Sequence, residues 1–425
     1  MHLFRPPRNS SSPERAAHPL TDHHFRALWS SGLLLSVASQ ISTFAAVLII
    51  WELTSSVLWV GLLGLARLVP IVLFAGIGGV LADRVDLRTV VIASASGHVV
   101  AAASMMFAVG GGTSAGFVLG TAAVQAAAAS LGAPARKAFV FTLLRREQLG
   151  AGLALTLTSY YAGVVFGPLA GGVTATSSGG PLWSCACAAV LACIAVAAAI
   201  RVPNEQGPAQ DKSGKDGGGV VVGLRFAWRT PTLRSTFLLD LNATVLAMPT
   251  ALFPAFNTER LGGDPRTLSF LYSALAVGGL VASLSPRLFA AVRRLGVLMF
   301  GAAALWSIAL GAFAVSTHTA AAMCALLIAG AADTVCVVVR GMIVQSTVDA
   351  SVRGRLSAVD HIVDIAGPEL GNVRAGGVAQ LANSGSALAV GPITSLIGIV
   401  LLACISRDLR KYTVTTAAAK EPPRK

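Results

Sequence analysis

Twelve runs of about twenty mostly apolar residues divide this chain of 425 residues, and that pattern leaves few folds open to it. The runs lie near 27–52, 57–82, 89–110, 114–135, 151–174, 181–200, 235–257, 268–292, 296–316, 319–345, 357–382 and 386–405. In hydrocarbon, backbone amides find no water, so each run is expected to be a transmembrane helix. Only 12% of residues are charged, against about 25% in soluble domains. The expected class is an all-α polytopic membrane protein; soluble, disordered, coiled-coil and disulfide-scaffold classes are excluded. The first run is as long as a full span and no small-residue cleavage site follows it, so it reads as a helix rather than a leader. The six cysteines lie in apolar runs without metal-ligand spacing and read as small packing residues. No metal or cofactor is expected.

The net charge of +13 points to topology rather than nucleic acid. Of the 32 Lys and Arg, 27 fall in the two tails and in alternate loops, and two, Arg260 and Arg266, fall in the loops between them. Arg67, Arg340 and Arg374 lie inside spans. Basic loops stay in the cytoplasm, so both termini are expected there, with the chain multi-pass in the plasma membrane. This count places Arg136 and Lys137 in the fourth connecting loop.

Residues 201–219 form the one long polar break, rich in Gly, Lys and Asp, with six spans on either side. The expected organisation is a tail over 1–26, a six-helix half over 27–200, a linker over 201–234, a second half over 235–405 and a tail over 406–425. Within the linker, 220–230 reads equally as a short interfacial helix or a loop. The halves look like copies. Arg26 and Arg234, which open spans 1 and 7, are 208 residues apart, and Leu149 and Leu356, before spans 5 and 11, are 207 apart. A parallel repeat of six spans puts a substrate site at the midplane between halves.

After span 2 comes Gly79-Val-Leu-Ala-Asp83-Arg84-Val-Asp86-Leu-Arg88. Span 5 carries Gly163-x-x-x-Gly167-Pro168-x-x-Gly171-Gly172, small residues that admit close helix packing, with a proline that admits a bend. The first stretch resembles the loop 2–3 signature of the major facilitator superfamily, with Asp86 where a glycine is common and Thr89 where a second basic residue is common. The second resembles the tail of the span 5 motif of that superfamily's exporters, with Ala154 in place of an earlier glycine. Gln125 fits the span 4 pattern of proton-coupled drug exporters, but Ala122 stands at its arginine position. The stretches opening at His18, Phe226, Phe270 and Ile362 are similar to the siderophore (enterobactin) exporter branch. The resemblance implies the major facilitator fold, two six-helix halves, with Asp83 closing the cytoplasmic gate against the start of span 11. Spans 1, 4, 7 and 10 would then line a cavity.

Charged groups inside a membrane usually face a cavity or a partner. Gln40, Arg67, Gln125, Asp240, Asp333 and Arg340 are therefore candidate lining or proton-coupling residues, with Tyr160, Tyr161, Asp364 and Glu369 added from spans 5 and 11. His98 and His318 read as packing or edge residues. The resemblance implies secondary active export of a siderophore or an amphipathic drug-like compound by alternating access, with protons as the expected driver; the alternative is a multidrug or antibiotic self-resistance pump. No phosphate loop for ATP occurs. An intramembrane enzyme built on Asp333, Asp360 and Asp364, or a non-transporting receptor, has little behind it, since no metal-protease or serine-elbow motif is present. Partners would be a small-molecule substrate, protons and the bilayer, with the chain acting as a monomer.

Overall fold

A computed structural model describes residues 18–110, 114–204, 219–284, 292–348 and 350–413. The first half holds α1 (His23–Thr54), α2 (Val57–Arg84), α3 (Leu87–Gly110), α4 (Ala115–Leu143), α5 (Leu149–Ala175) and α6 (Pro181–Ala199). A short α7 (Gly219–Arg229) precedes α8 (Pro231–Ala247) and α9 (Phe253–Arg260), which together make the seventh span. The second half continues with α10 (Pro265–Ser283), α11 (Leu295–Val315), α12 (Thr319–Thr347), α13 (Ala350–Leu381) and α14 (Ser384–Ile405), and ends in the single turn α15 (Arg407–Arg410). Twelve crossings bring the first and last described residues to one face, here the terminal face.

Local chemistry sets the helix starts. Asp22 Oδ1 accepts from the amides of His24 at 2.8 Å and Phe25 at 3.0 Å, capping α1. Asp86, the departure from the loop 2–3 signature, caps α3 by accepting from Arg88 N at 2.8 Å. Asp264 does the same for α10, followed by Pro265 at the first helical position.

Three expectations from the sequence change. The seventh span is not one helix. Pro249 cannot donate a backbone hydrogen bond, and the chain breaks after Ala247, passes through a 3-10 turn (Thr250–Leu252) and restarts at Phe253. Asn372 of α13 satisfies the freed backbone: its Oδ1 accepts from Ala251 N at 3.1 Å and from Thr250 Oγ1 at 2.7 Å. Second, α4 runs on to Leu143, so Arg136 and Lys137 sit inside a helix rather than in a loop. Third, α13 begins at Ala350, earlier than expected. Among the described residues, eleven spans are long and apolar enough to cross a membrane by composition alone. The remaining one, span 11 (α13), is long enough, but Asp360, Asp364 and Glu369 make it polar, and all three turn to partners inside the protein. The eighth span's expected tail from 285 to 291 and the linker from 205 to 218 lie outside the described residues. The helix expected as one reading of 220–230 is α7, with Val221, Val222, Leu224 and Trp228 exposed along it as an interfacial helix needs.

The halves meet on the face opposite the termini. Between described residues, the hydrogen bonds that join them are Trp51 Nε1 to Thr258 Oγ1 at 3.0 Å, Arg266 Nη2 to Thr176 Oγ1 at 3.1 Å and Ser273 Oγ to the Val165 carbonyl at 2.9 Å. Glycines let α2 and α13 approach on the same side. A Cβ on Gly61 would meet the Asn372 carbonyl at 2.6 Å, and one on Gly376 would meet Leu58 Cα at 2.7 Å. All of these residues lie in the half of each span that is remote from the terminal face.

Candidate functional site: a cavity between the halves

The break in the seventh span opens onto a cavity of about 350 Å³. Met248, Thr250 and Ala251 line it from the break itself, with Tyr272 of α10 donating to the Thr250 carbonyl at 2.9 Å. Gln40, Arg67, Tyr160, Tyr161, Asp333 and Glu369, all candidates from the sequence, also line it. Asp333 has no ion-pair partner among the described residues, and Glu369 accepts from Asn372 Nδ2 at 3.3 Å. A second cavity of about 610 Å³ runs within the first half toward the terminal face. Gln40, Arg67 and Tyr160 line both, so the two share a wall at the membrane centre.

Arg340, Asp240 and Asp364 do not line the central cavity. They form, with Asp360, a cluster buried in the second half. Arg340 is 2% exposed. Its Nε donates to Asp360 Oδ1 and its Nη2 to Asp364 Oδ1, both at 2.7 Å. Asp240 Oδ2 lies 2.6 Å from Nη1, off the hydrogen-bonding direction. The cluster joins α8, α12 and α13. With all groups ionised it holds three negative charges against one positive, and the Asp364 side chain, 43% exposed, opens it to solvent on one side. A fork of five N–H donors suits this convergence, and a lysine would not replace it. From sequence, Arg340, Asp240 and Asp364 are separate lining or proton-coupling candidates, and Asp360 has no part in transport. Partners 20, 24 and 100 residues away carry no periodic signal. Among the described residues no group of three His, Cys, Asp or Glu is placed to hold a metal; the aspartates converge on a guanidinium instead.

Gln125 also departs from expectation. It is 4% exposed, packed inside the first half and absent from the walls of both cavities. Asn372 and Thr250, which line the central cavity, were missed; Pro249 and Pro254 were the available signal.

The span 5 glycines pack α5 on α1. A Cβ on Gly163 would run into Ser36, one on Gly167 into Gln40, and one on Gly171 would meet Phe44 Cδ1 at 2.8 Å. The four-residue steps match on both helices, as in parallel neighbours packed through small residues. Gly172 turns the other way, onto Ser269 and Pro265 of α10 in the opposite half. Pro168 lines the central cavity. In the loop 2–3 signature, Gly78 rather than Gly79 makes the close approach: a Cβ there would meet the Ser130 carbonyl at 2.8 Å, whereas Gly79 has nothing within 4 Å. Arg88 anchors the loop to the end of α6, donating to Asn204 Oδ1 at 2.9 Å and to the Ile200 carbonyl at 2.6 Å. Asp83 and Arg84 are exposed, and among the described residues neither has an ion-pair partner. His98 is buried, its Nδ1 2.9 Å from the Ser94 carbonyl, and lines the second cavity; His318 stands just before α12.

Comparisons with known proteins agree with this architecture. The transmembrane secretion effector family matches residues 15–423. The multidrug efflux pump Tap of Mycolicibacterium fortuitum is 30% identical over 185 residues, 43% of this chain and 45% of the pump, so the chain matches less than half of that relative's length. The enterobactin exporter EntS of Shigella boydii serotype 18 is 25% identical over 288 residues, 68% of each chain. Among solved structures, a bacterial homologue of the human lysosomal transporter Spinster, inward-facing and unoccupied, superposes with a TM-score of 0.68 at 15% identity, covering 96% of this chain and 99% of that one. The nucleoside transporter NupG gives 0.71 at 14% identity, covering 92% and 100%. These structures speak to the fold alone. With that family match over nearly its whole length and twelve spans arranged as two halves around a central cavity, the chain belongs to the transmembrane secretion effector family of the major facilitator superfamily.

Proposed function

We propose that this protein exports an amphipathic small molecule across the plasma membrane by alternating access, with protons as the coupling ion. The observation that carries the reading is the pair of adjoining cavities, with the hydrogen bonds between the halves, among the described residues, gathered on the face opposite the termini. The basic-residue split assigns the terminal face to the cytoplasm, which makes this conformer inward-facing and ready to load from inside. The cavity walls combine Leu28, Leu35, Leu153 and Leu157 with Gln40, Tyr160 and charged groups, a lining suited to amphipathic cargo. One chain supplies both halves, so a monomer is a complete transport unit. Asp333, Glu369 and the acid-rich Arg340 cluster are the groups proposed to bind and release protons, since excess negative charge in a low-dielectric site attracts cations. The similarity to a siderophore exporter and to a multidrug pump supports export of compounds of those kinds; the largely apolar walls of the second cavity favour a broad cargo range.

The test is flux. Proteoliposomes holding the purified protein should move an amphipathic dye toward the side opposite the termini when a proton gradient is imposed, and should stop when the gradient is collapsed. Movement in the other direction, or a rate equal to that of empty vesicles, would sink the proposal.

Asp83 is proposed to act when the cytoplasmic side closes, docking on the amino end of α13. Replacing the carboxylate by an amide removes roughly 0.3–1 kcal/mol at a helix amino terminus and about 1 kcal/mol by making charge-assisted bonds neutral, a shift of roughly ten- to thirtyfold. Asp83→Asn is therefore expected to slow transport per inserted molecule by about that factor while leaving the amount in the membrane unchanged. Reduced protein with a normal rate per molecule would reassign Asp83 to folding of the loop.

A further inference from the structure

The internal repeat places two arginines at matching positions with opposite surroundings. Helices α4 and α12 are each 29 residues long, and Arg136 and Arg340 are each the twenty-second residue of their helix. Arg340 is neutralised three times over by Asp240, Asp360 and Asp364. The repeat offsets of 208 between spans 1 and 7 and 207 between spans 5 and 11 carry those aspartates onto Gly32, Leu153 and Leu157. The structure bears out the correspondence in space. A Cβ on Gly32 would meet Arg136 Nη1, at 4.0 Å, and nothing else within that distance; Leu153 and Leu157 line the same cavity as Arg136.

Arg136 thus stands without the carboxylates that surround its counterpart, with the end of its guanidinium buried. Its Nη1 and Nη2 atoms are shielded from solvent, and neither has a hydrogen-bond partner among the described residues. Among the described residues, the other charged side chains on the cavity wall are Arg67 and Lys137, and no carboxylate lines it. A buried guanidinium without a counter-ion is costly, and retaining one beside a cavity of about 610 Å³ gives it a use.

We propose that the cavity in the first half binds an organic anion, with the acidic group of the cargo paired to Arg136 and its apolar body against Trp29, Leu153 and Leu157. The cargo supplies the negative charge that Asp240, Asp360 and Asp364 supply to Arg340 in the other half. A planar fork of donors suits a carboxylate, sulfonate or phosphate. This inference rests on the export reading for its physiological sense, and it narrows the cargo to amphipathic anions.

Two probes with one skeleton test it: 1-anilinonaphthalene-8-sulfonate and N-phenyl-1-naphthylamine, which lacks the sulfonate. Equilibrium dialysis against purified protein in detergent, corrected for empty micelles, gives both affinities. The wild type should hold the sulfonate more tightly. Arg136→Gln should weaken the sulfonate at least tenfold and leave the neutral probe unchanged, and Arg136→Lys, which keeps the charge but not the fork, should recover only part of the loss. Gly32→Asp restores the carboxylate that the second half has. It should weaken the sulfonate similarly while raising thermal stability, an outcome that general damage to the fold does not produce. Equal wild-type affinity for the two probes, or an unchanged sulfonate affinity in Gly32→Asp, overturns the proposal. Flux of the sulfonate in vesicles is scored separately. Binding without flux leaves the site standing and sinks the export reading; flux without dependence on Arg136 does the reverse.

Discussion

Replacing Arg340 with glutamine is expected to cost about 3–5 kcal/mol of stability, because it leaves the buried Asp240 carboxylate, with two partly exposed ones beside it, without a counter-ion. Arg340 binds α8, α12 and α13 at once through Asp240, Asp360 and Asp364. Glutamine keeps part of the volume and one donor group, and it abolishes the charge. The thermal midpoint of the purified protein in detergent should fall steeply, and little protein should reach the membrane. Adding Asp240→Asn to Arg340→Gln should recover part of the loss, since Asp240, 4% exposed, is the aspartate most cut off from solvent. An Arg340→Gln protein as stable as the wild type would mean that the cluster has no structural role. Rescue by Asp240→Asn without recovery of transport would separate the packing role of the cluster from its proposed part in proton coupling.

Gly172→Val is expected to push the conformational equilibrium away from the closed face described above. Its Cβ would run into Ser269 and meet the Pro265 carbonyl at 2.9 Å, and both belong to the opposite half. Overpacking of a close contact typically costs about 1–3 kcal/mol, roughly a 5- to 150-fold change in a two-state ratio. Only the state with this face closed bears that cost, so the open state gains. Spin labels at Ser178→Cys and Ala382→Cys, on that face in different halves, should report a new long-distance population. Gly171→Val provides the control. It inserts the same volume one residue earlier but meets Phe44 within the first half, with Cδ1 at 2.8 Å. It should lower stability without moving the label distances. If the two variants behave alike, Gly172 has no part in closing the halves.

Much of this architecture is legible in the residues alone. Apolar runs of spanning length identify the helices because hydrocarbon forbids unpaired backbone groups. Asp22, Asp86 and Asp264 mark helix starts because a carboxylate satisfies local amides within three residues. The glycine steps of α5 marked a close packing face, and α1 occupies it. Each of these signals is local, or repeats at a fixed period along one element.

The site depended on contacts that no such period records. Arg136 next to Lys137 reads as a loop, because two adjacent charges look like the end of a span; only the packing of α4 against α1 and α5 shows them inside a helix. Pro249 breaks the seventh span, but the break persists because Asn372, more than a hundred residues away, satisfies the freed groups. The signature points to Gly79, yet the neighbour across the helix makes Gly78 the one in close contact. The sequence by itself determined the spans, their duplication and the expected sidedness, through burial energies that each helix settles with its own residues. Tertiary structure alone decided which charges find partners and which face a cavity, since an ion pair depends on distance in space and helices far apart in the chain set that distance.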